Sequence, residues 1–93
     1  MKIRSYVLHG DEVTELLNYA NENNFALPAV NVVNTSSVNA VLQTAKEVNA
    51  PVIIQFSNGG GSFYAGKHLD NTKEKASIAG SISGAYHVHL MAK

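Results

Sequence analysis

Two short apolar runs, each preceded by a segment of helical periodicity, constrain the fold of this chain more than any other feature. The runs cover residues 25–33 and residues 52–56. Continuous apolar runs of this length are typical of parallel strands that are covered on both faces. Pro28 argues against a regular strand in part of the first run, because proline has no N–H for a sheet ladder. The pattern as a whole predicts two buried strands.

The segments around these strands have the spacing of amphipathic helices. From Asp11, a candidate N-cap, apolar residues recur at positions i, i+3, i+4 and i+7 until Asn23 interrupts the pattern. A second helix is predicted to start at Thr35 or Ser36. It must stop before Pro51, because proline cannot continue a helix.

The glycine-rich part of the chain follows the second strand. Residues 57–75 contain a run of glycines and scattered charges, which together predict a long loop that could contain local structure. Residues 76–93 again have helical spacing. Within them, the small residues Gly80, Ser83 and Gly84 would let another backbone approach this last helix closely.

The resulting order of elements, namely helix, strand, helix, strand, loop and helix, is an α/β alternation. A right-handed crossover makes the two strands parallel. Two parallel strands do not complete a sheet, so we expect this chain to be part of a longer α/β domain. An open doubly wound sheet and a (β/α)8 barrel both agree with the pattern.

Charge and cysteine content exclude several functional classes. Seven basic residues balance seven acidic ones and no basic run occurs, so neither nucleic acid nor a membrane surface is a predicted partner. The absence of cysteine excludes a disulfide framework, a thiolate zinc site and a cysteine nucleophile. No apolar run reaches the roughly 20 residues of a membrane-spanning helix. We therefore predict a cytoplasmic protein.

Polar residues follow both predicted strands. Ligands of α/β proteins bind at the carboxyl ends of parallel strands, which here carry Asn31, Gln55 and the stretch from Ser57 to Ser62. The hydroxyl and glycine N–H groups of that stretch could surround a phosphate. A flexible turn is the alternative, because the stretch matches neither the dinucleotide-binding fingerprint nor the Walker pattern. Asn31 could equally hold a neighbouring loop, and Gln55 could simply link the two strands.

Two histidines and one lysine are candidates for other chemistry, and the sequence argues against each. Residues two apart on a helix point about 200° apart, so His87 and His89 are not predicted to share a metal ion. Lys67 lies in a polar segment rather than in the apolar pocket that a Schiff-base lysine needs. We predict no catalytic residue and no metal ligand within this chain.

Four stretches resemble the N-terminal part of zinc-dependent class II fructose-bisphosphate aldolases. They are residues 23–31 (NNFALPAVN), 50–60 (APVIIQFSNGG), 62–67 (SFYAGK) and 83–89 (SGAYHVH). Their order and separation also agree, so the likeness covers nearly the whole chain. The resemblance implies that residues 1–93 are the N-terminal portion of a single (β/α)8 TIM barrel domain, with about two βα units after an initial helix.

The same resemblance implies an activity and a set of partners. The whole enzyme would be a lyase of glycolysis and gluconeogenesis that cleaves fructose 1,6-bisphosphate reversibly to dihydroxyacetone phosphate and glyceraldehyde 3-phosphate. Zinc would polarise the ketone carbonyl, and the enzyme would be a homodimer. Ser57 matches a serine that contacts a phosphate of the sugar substrate, and Asn31 and Gln55 match residues that line the substrate pocket.

The zinc ligands and the catalytic aspartate of the resembled family belong to later strands and loops. We therefore expect the 93-residue chain alone to be inactive and not stably folded. Two alternatives remain. One is a related aldolase that acts on tagatose bisphosphate, although residues 26–31 and 57–60 favour the fructose form. The other is a non-catalytic phosphate-binding module, which would explain the lack of a predicted metal site.

Overall fold

Residues 6–93 are described by a computed structural model, and the first five residues of the predicted domain lie outside this range. The elements in chain order are α1 (Asp11–Glu22), β1 (Ala29–Asn31), α2 (Thr35–Val48), β2 (Ile53–Gln55), α3 (Asn58–Ala65), a 3₁₀-helix (Thr72–Glu74) and α4 (Lys75–Met91). This order confirms the predicted α/β alternation. None of the helices in the described part is both long and apolar enough to cross a membrane.

The two strands form a parallel sheet, and α2 connects them. Asn31 lies opposite Gln55 in the register. Two further backbone bonds extend the pairing: the Ile53 N–H donates to the Pro28 carbonyl at 2.9 Å, and the Val32 N–H donates to the Gln55 carbonyl at 3.0 Å. Pro28 therefore lies just before β1 and takes part through its carbonyl. Its missing N–H costs the ladder no bond.

The strands are less buried than the apolar runs predict. Val30 is 36% exposed and Ile53 is 42% exposed, because the other described elements leave part of the two-stranded sheet uncovered. The prediction of strands buried on both faces is therefore wrong for residues 6–93. Among the hydrophobic residues of the described range, Val32 after β1, Val38 in α2 and Ala76 in α4 have no solvent exposure.

Side-chain caps set the bounds of α2. The Asn34 side chain accepts a hydrogen bond from the Ser37 N–H at 2.8 Å, and the Asn34 N–H donates to the Ser37 hydroxyl at 3.1 Å. This reciprocal capping box starts the helix at Thr35, as predicted, with Asn34 as the cap. The helix ends at Val48, and its C-cap Asn49 has a left-handed φ of 53°. Pro51 then prevents any continuation.

The start of α1 differs from the prediction. Gly10 is the N-cap, and no side chain caps the helix. Asp11 is instead the first helical residue, so its assignment as the N-cap was wrong. Its carboxylate remains favourable there, because the N-terminus of a helix carries a partial positive charge.

Asn58–Ala65 form α3, so the loop prediction is wrong for these residues, although local structure within the loop was allowed for. Glycine in a helix costs about 1 kcal/mol relative to alanine, so local propensity does not explain this element. Packing against α4 does. A Cβ on Gly80 would overlap the Gly61 carbonyl, and a Cβ on Gly84 would overlap the Phe56 ring. The predicted close approach of another backbone is confirmed at Gly80, where α3 packs. At Gly84 the neighbour is the Phe56 side chain, and Ser83 is exposed, so the prediction is wrong for Ser83.

Candidate functional site

Asn31 and Gln55 meet at the carboxyl ends of the two strands. The Gln55 amide nitrogen donates to the Asn31 amide oxygen at 2.9 Å. This bond follows from the register, which places the two residues side by side. Within residues 6–93 the Asn31 amide nitrogen donates no hydrogen bond, so it is available to a ligand. Gln55 thus links the strands and also fixes the orientation of Asn31.

Ser57 is the N-cap of α3, two residues beyond the end of β2. Its hydroxyl oxygen accepts a hydrogen bond from the Gly60 N–H at 2.9 Å, and its carbonyl accepts one from the Gly61 N–H at 2.9 Å. The Ser57 side chain is exposed. Because the cap uses only a lone pair of the oxygen, the Ser57 O–H remains able to donate to an external acceptor.

The first two N–H groups of α3 belong to Asn58 and Gly59. Neither donates a hydrogen bond within the described part of the chain, as is normal at the start of a helix. A Cβ added to Gly59 would have no atom within 4 Å. A ligand can therefore approach this turn without meeting a side chain.

Gly60 closes the turn against β1. A Cβ at this position would lie 3.1 Å from both the Ser57 hydroxyl oxygen and the Val32 carbonyl oxygen. Glycine therefore lets the first turn of α3 lie against the end of the neighbouring strand. The Ser57 hydroxyl and the free N–H groups of Asn58 and Gly59 are then held at the same sheet edge as the Asn31 amide. We call these groups the strand-end site.

The geometry of the strand-end site suits an anion. The partial positive charge of a helix N-terminus and its unpaired N–H groups favour phosphate over neutral ligands. The predicted residues Ser57, Asn31 and Gln55 all lie at this edge. The hydroxyl and backbone N–H groups of this stretch were expected from the sequence, but the helix that they begin was not, because residues 57–75 were predicted as a loop. A serine followed by a predicted helix start would have been the signal for this helix.

The histidines and Lys67 lie outside the strand-end site. His87 Nε2 is 2.9 Å from the Asn39 side-chain oxygen, which ties α4 to α2. His89 is two positions further along α4. Among the described residues, no group of three or more histidine, cysteine, aspartate or glutamate side chains is placed to hold a metal ion. Lys67 is exposed, with its Nζ 5.8 Å from the centre of the Phe63 ring.

An apolar groove of about 330 Å³ lies between α2 and the start of the strands. It is lined by Pro28, Val41, Val48 and Val52, among others. Almost no polar atom faces it, and it lies at the amino ends of the strands rather than the carboxyl ends. A phosphorylated ligand would have nothing to bind there, so the strand-end site is the better candidate.

Nearly the whole chain is similar to known aldolases. Residues 11–93 match the family model described as fructose-bisphosphate aldolase class-II. The fructose-bisphosphate aldolase of Campylobacter jejuni is 56% identical over 91 residues, which make up 98% of this chain and 25% of that protein. The class 2 fructose-bisphosphate aldolase of Escherichia coli K12 is 56% identical over 92 residues, or 98% of this chain and 26% of that protein.

The structural comparison agrees. The crystal structure of the Campylobacter jejuni aldolase matches with a TM-score of 0.87 at 56% identity, covering 97% of this chain and 25% of that one. The chain therefore spans about a quarter of the length of the curated relatives that it matches.

Proposed function

Because the chain belongs to the class II fructose-bisphosphate aldolase family, we propose that it supplies the part of an aldolase active site that holds a substrate phosphate. The observation that carries this proposal is the turn that begins at Ser57. An exposed hydroxyl and two unpaired N–H groups lie together at a helix N-terminus. That combination provides three donors and a favourable dipole for one phosphate group.

Asn31 and Gln55 have a second role in this proposal. Gln55 holds the Asn31 amide oxygen, so the Asn31 nitrogen is turned outward as a donor. A donor at this position would bind an oxygen of the sugar chain next to the bound phosphate. Binding and orienting the substrate are therefore the roles proposed for this chain.

The reaction of the whole enzyme is proposed as the reversible cleavage of fructose 1,6-bisphosphate to dihydroxyacetone phosphate and glyceraldehyde 3-phosphate, within a (β/α)8 barrel. Two observations support the fructose substrate and the barrel: the relatives are named fructose-bisphosphate aldolases, and β1, α2 and β2 form a parallel βαβ unit. The boundary of the domain at residues 1–93, the homodimer and the cytoplasmic location stay predictions.

Zinc is part of the proposal only for the whole enzyme. When bound, it would act as a Lewis acid toward the substrate carbonyl. The described residues do not fit it, because they contain no group of three potential ligands and because His87 is already bonded to Asn39. No residue of this chain is therefore given a role toward the metal.

The test uses a full-length enzyme in which this chain is followed by the remaining barrel of the Campylobacter jejuni aldolase; we call it the joined enzyme. Ser57→Ala removes the hydroxyl. We expect the inhibition constant of inorganic phosphate and the KM for fructose 1,6-bisphosphate to rise about 10- to 100-fold, since a hydrogen bond to a charged group contributes about 1.5–3 kcal/mol.

Two controls separate binding from folding in this experiment. Ser57→Thr keeps both the hydroxyl and the helix cap, and it should retain most of the affinity. Ser62→Ala makes the same chemical change within α3 but away from the site. Unchanged phosphate inhibition in a folded Ser57→Ala enzyme would contradict the proposed function.

A further inference from the structure

Ser77, on the first turn of α4, is the buried polar residue of the described chain, with 4% of its surface exposed. Its hydroxyl donates to the Asn58 carbonyl at 3.0 Å. Its backbone N–H donates to the Asn71 side-chain oxygen at 2.9 Å, which also lies 3.2 Å from the hydroxyl. Ser77 therefore joins α4 and the preceding segment to the first residue of α3.

The Asn58 carbonyl affects phosphate binding indirectly, through the N–H group of the next residue. This carbonyl and the Gly59 N–H belong to one peptide unit, which is planar and trans, so the two groups point in opposite directions. A bond that holds the carbonyl from the buried side consequently sets the direction of the N–H on the open side. Gly59 is exposed, and a Cβ on it would meet nothing within 4 Å.

The turn needs such support because of its composition. Three consecutive glycines, Gly59 to Gly61, occupy the start of an eight-residue helix. Glycine loses more conformational freedom on ordering than other residues, and a helix this short is not stable by itself. Close contact between Gly61 and Gly80 brings α4 near enough for the Ser77 hydroxyl to reach α3.

We propose that Ser77 is a positioning residue for the phosphate: its hydroxyl holds the Asn58–Gly59 peptide so that the Gly59 N–H is directed at the anion. This inference rests on the proposed phosphate site. The hydrogen bond also polarises the peptide, which makes its N–H a stronger donor. Ser77 itself does not touch the ligand; it acts on the site through the Asn58–Gly59 peptide.

The experiment compares Ser77→Ala with Ser81→Ala in the joined enzyme. Ser81 lies one turn further along α4, and among the described residues its hydroxyl makes no hydrogen bond to another side chain. The probe is inorganic phosphate as a competitive inhibitor. We expect Ser77→Ala to raise the phosphate inhibition constant about three- to tenfold and to lower kcat/KM mainly through KM. Ser81→Ala should leave both unchanged.

Equal inhibition constants for the two variants would overturn the proposal, as would a loss in kcat without a change in KM. If Ser77→Ala does not fold, Ser77→Cys decides the question. The thiol is somewhat larger than the hydroxyl but keeps the site filled, and it donates only weakly. It should therefore also raise the inhibition constant, and an unchanged value would overturn the proposal.

Ser57→Ala distinguishes this inference from the function on which it rests. If Ser57→Ala raises the phosphate inhibition constant and Ser77→Ala does not, the positioning role of Ser77 is refuted, while the proposed phosphate site is supported. If neither substitution changes the phosphate inhibition constant, the proposed phosphate site itself is refuted.

Discussion

Gly80→Ala should destabilise the packing of α3 on α4. The added methyl group would overlap the Gly61 carbonyl, with the Gly61 carbonyl carbon at 2.6 Å and the Ala65 nitrogen at 3.0 Å. These are backbone atoms, which cannot move aside by changing a rotamer. The overlap can be relieved only if α3 shifts away from α4, and that shift also moves Ser57 and the two free N–H groups.

The magnitude follows from two opposing effects. Replacing glycine by alanine inside a helix favours folding by about 1 kcal/mol. Overpacking of a well-packed contact typically costs about 1–3 kcal/mol. Because the atoms against Gly80 belong to the backbone, we expect the cost to be at the upper end of that range. We therefore expect a net loss of about 2 kcal/mol in the free energy of unfolding, together with weaker inhibition by phosphate.

Urea unfolding of the joined enzyme measures this change as a lower midpoint at constant slope. Ser83→Ala is the matched control, because Ser83 is exposed on the same helix and gains helix propensity without a new contact. If Gly80→Ala is as stable as the parent enzyme, or more stable, the argument that backbone contact with α4 holds α3 in place is refuted.

Three further predictions concern other parts of the chain. Asn34→Ala removes the capping box of α2 and should lower the free energy of unfolding by about 1 kcal/mol, measured by urea denaturation; Asn34→Ser, which keeps a capping oxygen, should restore most of it. Gln55→Ala releases the Asn31 amide and should raise the KM for fructose 1,6-bisphosphate by about tenfold. The inhibition constant of phosphate should change little, because Ser57 is untouched. An unchanged KM would contradict the orienting role of Gln55. The isolated 93-residue chain should show no cooperative unfolding by circular dichroism and no aldol cleavage, because Val30 and Ile53 remain exposed on its sheet. Specific binding of dihydroxyacetone phosphate by a folded 93-residue chain would favour the non-catalytic module instead.

Local patterns in the sequence determined the elements from α1 to β2 and the place of the site. The periodicity of apolar residues and the signals that end a helix depend only on nearby positions in the chain. The helical spacing of α2 and its end before Pro51 could therefore be predicted without a structure. Parallel pairing followed from the crossover rule. The location of Asn31, Gln55 and Ser57 at one edge followed from that pairing, because carboxyl ends of parallel strands meet at the same edge.

Tertiary contacts decided the features that the sequence did not predict. Helix α3 has a glycine-rich start that local propensity disfavours, and it is stabilised by packing against Gly80, which lies well beyond it in the chain. The bond from Ser77 to the Asn58 carbonyl spans 19 positions. Such contacts have no short-range signature. The sequence therefore located the edge proposed to bind phosphate, and only the packing of α4 determined that a capped helix, rather than a loop, begins at Ser57.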